Sequence, residues 1–311
     1  MITTLGLPRL SDAQISCVKS VIAKCLGAIW ILDGLLQFQP RMFGHYFVEQ
    51  VLVPNLAGQP SFLQSIVTFG IYLWNFNPLV FDVGAGILQV VIGTLLLFPL
   101  SSAFFTAGTW ISVLWGIIVW VFGEGAGLLL TSTATFYSGA PGAILLYPLL
   151  AILLLRPGSA GIELLPRIAA VLLIVAGVLQ LQPMFWTQSG IQASLTASTT
   201  EPFHILSAAP KYFVHLLSLD PILGNTILVL IPLAIGVMFL LKPNQIMGYI
   251  VLAFLFLVWW WGQDFGMLTT LISGTATDPD TAPLLALFVI PCFCVSILGR
   301  IFADAKLPSV E

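Results

Sequence analysis

The segments ILDGLLQFQPRMF (31–43) and IVAGVLQLQPMFW (174–186) decide the predicted fold, because each closes an apolar stretch with the same pattern. Both keep one glycine, two glutamines and one proline at equal spacing: Gly34, Gln37, Gln39 and Pro40, then Gly177, Gln180, Gln182 and Pro183. Further along, FGEGAG (122–127) pairs with WGQDFG (261–266), and TATFYSGAP (133–141) with TATDPDTAP (275–283). Matches that keep one order over most of a chain predict an internal duplication.

The composition indicates a membrane protein. Of the 311 residues, 59% are hydrophobic and only 7% are charged, whereas a soluble domain carries about 25% charged residues. Lipid-facing side chains can be as apolar as core side chains, so a bilayer accommodates this composition. The net charge of −3 and the lack of a basic run argue against a nucleic-acid partner.

The hydropathy pattern predicts an all-α membrane protein with eight transmembrane helices, arranged as two tandem four-helix repeats. A span needs about 20 mostly apolar residues. The segments that qualify are 21–39, 79–100, 103–122, 139–155, 165–185, 222–241, 246–262 and 283–302. Residues 60–77 and their counterpart 202–220 are predicted to be external interfacial helices, because aromatic residues suit that depth and the second segment is too polar to span.

The predicted organisation is a cytoplasmic tail (1–20), a first repeat (21–155), a cytoplasmic linker (156–164), a second repeat (165–302) and a second cytoplasmic tail (303–311). The basic residues set the orientation, since cytoplasmic loops carry excess Lys and Arg. We expect the protein to lie in the plasma membrane with both termini in the cytoplasm. In this orientation eight of the ten basic residues are cytoplasmic, and only Arg41 and Lys211 are external. Four spans per repeat imply that an axis along the membrane normal relates the halves.

Two acidic positions are the leading candidates for a ligand or proton site, because ionisable groups at membrane depth are costly. Asp33 lies in the outer half of the first span, and its repeat counterpart is Ala176, so the scaffold does not require a carboxylate there. Glu124 lies at the external end of the third span. A carboxyl that only links helices, or only caps a loop, is the alternative at each position. We expect Asp33, Gln37, Gln39 and Glu124 to border one cavity.

Other polar residues at the predicted external ends complete the candidate binding set. The glutamines Gln37, Gln39, Gln180 and Gln182 could hydrogen-bond a carbonyl or hydroxyl, although interhelical bonds are the favoured interpretation. Gln263 and Asp264 are the counterparts of the Glu124 region, and Arg41 with His45 could meet an anionic headgroup. The spacing of the histidines and cysteines predicts no bound metal.

The glycine-containing first span (IWILDGLLQFQP, 29–40), followed by an amphipathic external segment and three more spans, resembles the DoxX/DoxD-like membrane families. The resemblance covers 20–155 and 165–302 separately. DoxD-like proteins are membrane subunits of thiosulfate:quinone oxidoreductases, so the resemblance implies a quinone-linked redox assembly. No catalytic residue of the family maps onto this chain.

The sequence therefore favours an integral membrane subunit of a respiratory or redox assembly that contacts quinone or lipid near the outer leaflet. Its expected partners are membrane lipids and other membrane subunits, and quinone is the candidate cofactor. An accessory role is favoured over catalysis, which would be quinone-linked oxidoreduction. A small-solute or proton-coupled transporter and a purely structural subunit are the alternatives. A quinone site predicts a pocket open to lipid, and a transporter predicts a water-filled cavity between the halves.

Overall fold

The computed structural model describes residues 11–195, 204–270, 274 and 276–293. These residues contain helices, turns and loops, without a strand among them. The α-helices are α1 Asp12–Leu36, α2 His45–Phe47, α3 Ser61–Phe76, α4 Pro78–Leu96, α5 Ala103–Phe122, α6 Ala143–Leu155, α7 Ala160–Leu179, α8 Gln188–Leu195, α9 His204–Leu219, α10 Pro221–Leu241, α11 Gln245–Trp261 and α12 Thr281–Leu287. Short π- and 3-10-helical turns, Val48–Leu52 and Val53–Leu56, follow α2.

Five of these helices are long and apolar enough to cross a membrane, namely α1, α4, α5, α7 and α10. The helices at the other three predicted spans are shorter. For example, α6 has 13 residues, which extend only about 20 Å against a hydrocarbon core of about 30 Å. The predicted start at 139 is wrong for a local reason: Gly139 and Gly142 adopt positive φ angles of 101° and 95°, so the helix begins only at Ala143. Residues 294–302 of the last predicted span lie outside the described residues.

Helix α1 begins earlier than residue 21, the predicted start of the first span. The Ser11 hydroxyl accepts from the Gln14 N–H, and the Gln14 side chain accepts from the Ser11 N–H. This capping box satisfies two N–H groups that a helix start otherwise leaves without partners. The segments predicted as interfacial helices form α3 and α9, and residues 1–10 of the predicted tail lie outside the described residues.

Small residues bring two helix pairs into backbone contact. Where α1 crosses α4, a Cβ atom added to Gly34 would lie 2.6 Å from the Gly86 carbonyl oxygen. Where α7 crosses α10, a Cβ atom on Gly177 or Gly236 would lie 2.8 Å from the carbonyl oxygen of Val229 or Ala170. Such crossings allow close van der Waals packing where lipid supplies no hydrophobic driving force. Helix α6 lies inside the bundle, with nine of its residues buried.

Two loops share an unusual backbone conformation. Residues 125–128 after α5 all have φ between 54° and 61°, and residues 264–267 after α11 all have φ between 52° and 62°. Several of these residues are not glycine, so the left-handed conformation is costly and the surrounding contacts must maintain it. The segments that follow these loops contact the opposite half of the chain: Gln39 donates to the Ala276 carbonyl, and Gln182 donates to the Ala134 carbonyl.

Candidate functional site

A cavity of about 800 Å³, including its mouth, lies among α1, α4 and α5 and beneath the segment 45–56 and α3. We call it the apolar cavity, because most of its lining is hydrophobic. Its apolar wall includes Phe47, Val51, Leu52, Trp74, Ile118, Val119 and Phe122. Its polar lining comprises Gln37, Gln89, Trp115, Glu124, Thr277 and Asp278. The cavity therefore has the composition expected for a ligand with an apolar body and a few polar atoms.

Three polar atoms of this lining are buried without a hydrogen-bond partner among the described residues: Gln89 Oε1, Trp115 Nε1 and Glu124 Oε2. A buried polar group without a partner costs about 1–3 kcal/mol, so native proteins seldom keep one without a purpose. Gln89 is only 4% exposed and lies about 16 Å along α4 from Pro78, at 1.5 Å per residue. The three atoms could bind polar atoms of a ligand inserted deeply between the helices.

Glu124 lies just beyond the C-terminus of α5. Its Oε1 accepts a hydrogen bond from the Ile144 N–H at 3.2 Å. The residue as a whole is partly exposed, but its carboxyl group is buried. Burial, and next the negative charge of Asp278, raise the pKa of Glu124 well above its ordinary value. A protonated Glu124 can donate a hydrogen bond from Oε2, which a carboxylate cannot do.

Gly142 makes room for this carboxyl group. A Cβ atom at Gly142 would clash with Glu124 Oε2, and its φ of 95° also disfavours any side chain. Gly142 therefore has two roles: it precedes the first residue of α6, and it leaves space for the Glu124 carboxyl group.

Asp33 is buried, but beside the apolar cavity rather than on it. The Tyr147 hydroxyl donates to Asp33 Oδ2 at 2.6 Å, and Asp33 Oδ1 is buried without a partner among the described residues. The Trp30 ring packs on Tyr147 with centroids 4.5 Å apart. The expectation of one shared cavity is therefore right for Gln37 and Glu124 and wrong for Asp33 and Gln39. Asp33 lies one turn below Gln37 and is held by α6, while Gln39 lies beyond α1 and binds the 276 loop.

The remaining candidates make contacts within the protein. Gln180 accepts from Thr135 and donates to Asn225, and Gln182 binds Ala134. Gln263 donates to the Phe136 carbonyl and accepts from the Ala282 N–H. These bonds agree with the interhelical interpretation of the glutamines. Asp264 is buried at a φ of 53° in the left-handed loop.

Arg41 and His45 are exposed and lie away from the cavity lining. Arg41 donates to the Tyr46 hydroxyl and lies over its ring, and His45 Nδ1 contacts the Asn75 side chain at 2.9 Å. The structure therefore does not bring them to the polar groups of the apolar cavity.

Sequence reasoning missed several residues of the cavity lining and also Asp82, whose partner Trp74 lines the apolar cavity. Asp82 is fully buried within α4, and its Oδ1 accepts from Trp74 Nε1 at 3.0 Å. An ionisable residue inside a predicted span was a visible signal for Asp82. No local pattern pointed to Gln89 or Trp115, and Asp278 was not among the candidate site residues. Asp278 reaches the first half of the chain through a contact between distant segments.

A second cavity of about 550 Å³ lies on the other side of Glu124 and Asp278. We call it the polar cavity, since its lining includes Asn55, Glu124, Thr135, Ser138, Asp278 and Asp280. Burial and the charge of Asp278 raise the pKa of Asp280 to about 7.

The described residues form an all-helical protein with five helices long and apolar enough to cross a membrane, and with two cavities that meet at Glu124 and Asp278. Comparison of the chain with protein-family models, curated proteins and solved structures found no match.

Proposed function

We propose that this protein binds the headgroup of a quinone in the apolar cavity, as an integral membrane subunit of a redox assembly. One observation carries the proposal: an apolar-walled cavity holds three buried polar atoms, of Gln89, Trp115 and Glu124, without partners among the described residues. The resemblance to DoxX/DoxD-like proteins agrees with the same class of ligand. The redox assembly would supply the electrons, so the role proposed for this chain is binding.

The chemistry of the lining suits a quinone. A quinone ring is flat and apolar and carries carbonyl oxygens that accept hydrogen bonds. Trp115 Nε1 and a protonated Glu124 can donate to such oxygens, while Trp74, Ile118 and Phe122 offer contacts to the ring. A transported ion or small polar solute would find few of the polar groups that it needs along this wall, which favours the quinone over the transporter.

The proposal includes eight spans in two four-helix repeats. Three pairs of features support the duplication: the glycine crossings of α1–α4 and α7–α10, the left-handed loops, and the exchanged glutamine contacts. The two glutamine contacts are reciprocal, as a two-fold axis between the halves requires. In this proposal, α3 and α9 lie in the outer interface.

Both termini are proposed to be cytoplasmic. Lys19 Nζ donates to the Arg156 carbonyl, so two of the predicted cytoplasmic basic residues lie at one end of the bundle. Gln37 at the other end of α1 is about 27 Å away along the helix. The apolar cavity would therefore open near the outer leaflet.

Among the described residues of the second half, aromatic side chains pack at the positions that correspond to the apolar cavity. Phe213 packs against Trp261 with ring centroids 4.3 Å apart, where Gly70 lies against Phe122 in the first half. Phe136 is the repeat counterpart of Asp278, since each directly follows a Thr-Ala-Thr sequence. The ring of Phe136 stacks on that of Phe254, with centroids 6.5 Å apart. Phe254 is in turn the repeat counterpart of Trp115, because the two lie at the same distance before the matched residues Trp261 and Phe122. Large aromatic side chains thus occupy the space that the first half leaves open, so we propose one site per chain.

Calorimetric titration of the purified full-length protein with decylubiquinone tests the proposal. We expect saturable binding of decylubiquinone that Trp115→Phe weakens by about tenfold, because losing one hydrogen bond from a buried donor costs about 1–2 kcal/mol. We expect Gln89→Leu to weaken by about tenfold the binding of the reduced form, decylubiquinol, whose hydroxyl can donate to Gln89 Oε1. Trp110→Phe is the matched control, since Trp110 lies on the same helix and is 58% exposed. Equal heats in all four proteins, with partition into detergent as the only process, would reject quinone binding in this cavity.

A further inference from the structure

The apolar and polar cavities share a wall of two carboxyl groups. Glu124 and Asp278 line both cavities, and no other residue in the described part of the chain lines both. We call these two residues the carboxyl pair. Glu124 comes from the end of α5, whereas Asp278 comes from the loop before α12. The chain therefore brings two distant segments together at the boundary between the cavities.

The hydrogen bonds of the carboxyl pair leave one atom available. Asp278 Oδ1 accepts from the Asp280 N–H at 2.7 Å, and Asp278 Oδ2 accepts from the Thr277 hydroxyl at 2.9 Å. Glu124 Oε1 is bonded to the Ile144 N–H, but Glu124 Oε2 is buried without a partner among the described residues. Oε2 is thus the atom of the pair that is positioned to exchange a proton.

The surroundings of the carboxyl pair favour the protonated forms of both groups. Burial raises the pKa of Asp278, and burial with the charge of Asp278 raises the pKa of Glu124. Asp280 lies at the polar cavity and carries the third carboxyl group, while Asp33 and Tyr147 are the other titratable groups nearby. Carboxyl groups whose charged forms are disfavoured by burial and by each other accept and release protons one at a time.

We propose that Glu124 and Asp278 pass protons between the apolar cavity and the polar cavity. In one transfer, the O–H bond at Glu124 Oε2 breaks and an O–H bond forms on the Asp278 carboxylate. The proton then passes to the Asp280 carboxylate or to water in the polar cavity, and the Glu124 carboxylate takes up the next proton from a hydroxyl group of a bound quinol, the reduced form of the ligand, which is left as a quinolate anion. No electron moves in these steps. The proposal rests on the proposed function for what occupies the apolar cavity, but the exchange itself requires no ligand.

Infrared spectroscopy of the full-length protein in lipid, transferred from H₂O to D₂O, tests the exchange. The carboxylic-acid stretch of Glu124 is identified by its loss in Glu124→Gln. We expect its deuterium shift to slow by at least tenfold in Asp278→Asn and in Ser138→Trp, which would narrow the polar cavity at an exposed position. Asp33→Asn is the control, because Asp33 lines neither cavity. The exchange rate of Glu124 in this variant should match the rate in the wild type.

Unchanged exchange at Glu124 in both Asp278→Asn and Ser138→Trp would overturn the proton route. If Asp278→Asn fails to fold, Ser138→Trp alone decides the result. The titration with decylubiquinone is independent of these measurements. Quinone binding with unchanged exchange would reject only the route, whereas slowed exchange without quinone binding would reject only the proposed ligand.

Discussion

Glu124 occupies two environments at once, since one oxygen accepts from a helix N–H and the other is buried at the wall of the apolar cavity. The raised pKa of this residue keeps it protonated at a pH where an ordinary glutamic acid has lost its proton. Its role in the apolar cavity is then that of a donor. Gln263, at the matching position after α11, is a permanent donor and binds a backbone carbonyl instead.

The protonation of Glu124 gives a prediction about pH. As the pH rises through the raised pKa of Glu124, the carboxylate forms and can no longer donate to a quinone oxygen. The affinity for decylubiquinone should therefore be highest at low pH and fall by about tenfold toward high pH. In Glu124→Gln the affinity should stay constant, because the amide donates at every pH. Titrations between about pH 5 and 9 measure both.

Asp280→Asn is the control for this pH dependence. The pKa of Asp280 is about 7, so this residue titrates in the same range. Removing its charge should leave the alkaline loss of affinity in place. A wild-type pH profile retained by Glu124→Gln would show that another group is responsible, with Asp278 the first to examine.

Single residues also show how far the sequence predicts the site. The cost of charge in a bilayer was enough to select Asp33 and Glu124, and both are buried groups with internal contacts. The same reasoning could not assign their partners, because Tyr147 and Asp33 are 114 positions apart in the sequence. Gln89 and Trp115 are uncharged within apolar runs, and only their unpartnered atoms distinguish them from structural residues.

The crossing of α1 and α4 gives a prediction at the level of helices. Gly34→Ala places a methyl group 2.6 Å from the Gly86 carbonyl oxygen, so the helices must separate. We expect the free energy of unfolding to fall by about 1–3 kcal/mol. Gly84→Ala on α4 meets no atom within 4 Å and should leave stability unchanged or raise it by up to about 1 kcal/mol. Thermal unfolding in detergent measures both, and equal stability of the two variants would refute the close crossing.

Helix positions followed the hydropathy pattern well, but helix lengths did not. The apolar runs near α6 and α11 predicted full spans, yet α6 has 13 residues and α11 has 17. Hydropathy reports which residues avoid water, and a protein interior satisfies that preference as well as lipid does. Helix α6 is such a case, because its neighbours α1, α5 and α7 bury it on several sides.

The orientation of the whole molecule is testable by chemical labelling. Single cysteines at Ser138 and Ser189, both exposed, should react with an impermeant maleimide in intact cells. A cysteine at Ser159 should react only after the membrane is opened, because the distribution of basic residues predicts that the 156–164 linker is cytoplasmic. The four native cysteines are first replaced by serine. Labelling of position 159 in intact cells would reverse the proposed topology.

The molecule as a whole assembles its site from both halves. The first half supplies Gln37, Gln89, Trp115 and Glu124, and the second supplies Thr277 and Asp278. The duplication in the sequence predicted two similar units, but similarity alone does not reveal that their loops are exchanged. The reciprocal bonds of Gln39 and Gln182 are contacts between units, which a pattern within one unit cannot encode.

This exchange of loops has a consequence for biosynthesis. Gln39 and its partner Ala276 are 237 residues apart, so at about 5–20 residues per second the ribosome makes them roughly ten to fifty seconds apart. During that interval the nascent first half lacks Asp278, so Glu124 is without the second carboxyl group of the carboxyl pair. A chain that ends between the halves would therefore lack Thr277 and Asp278, and with them part of the wall of the apolar cavity.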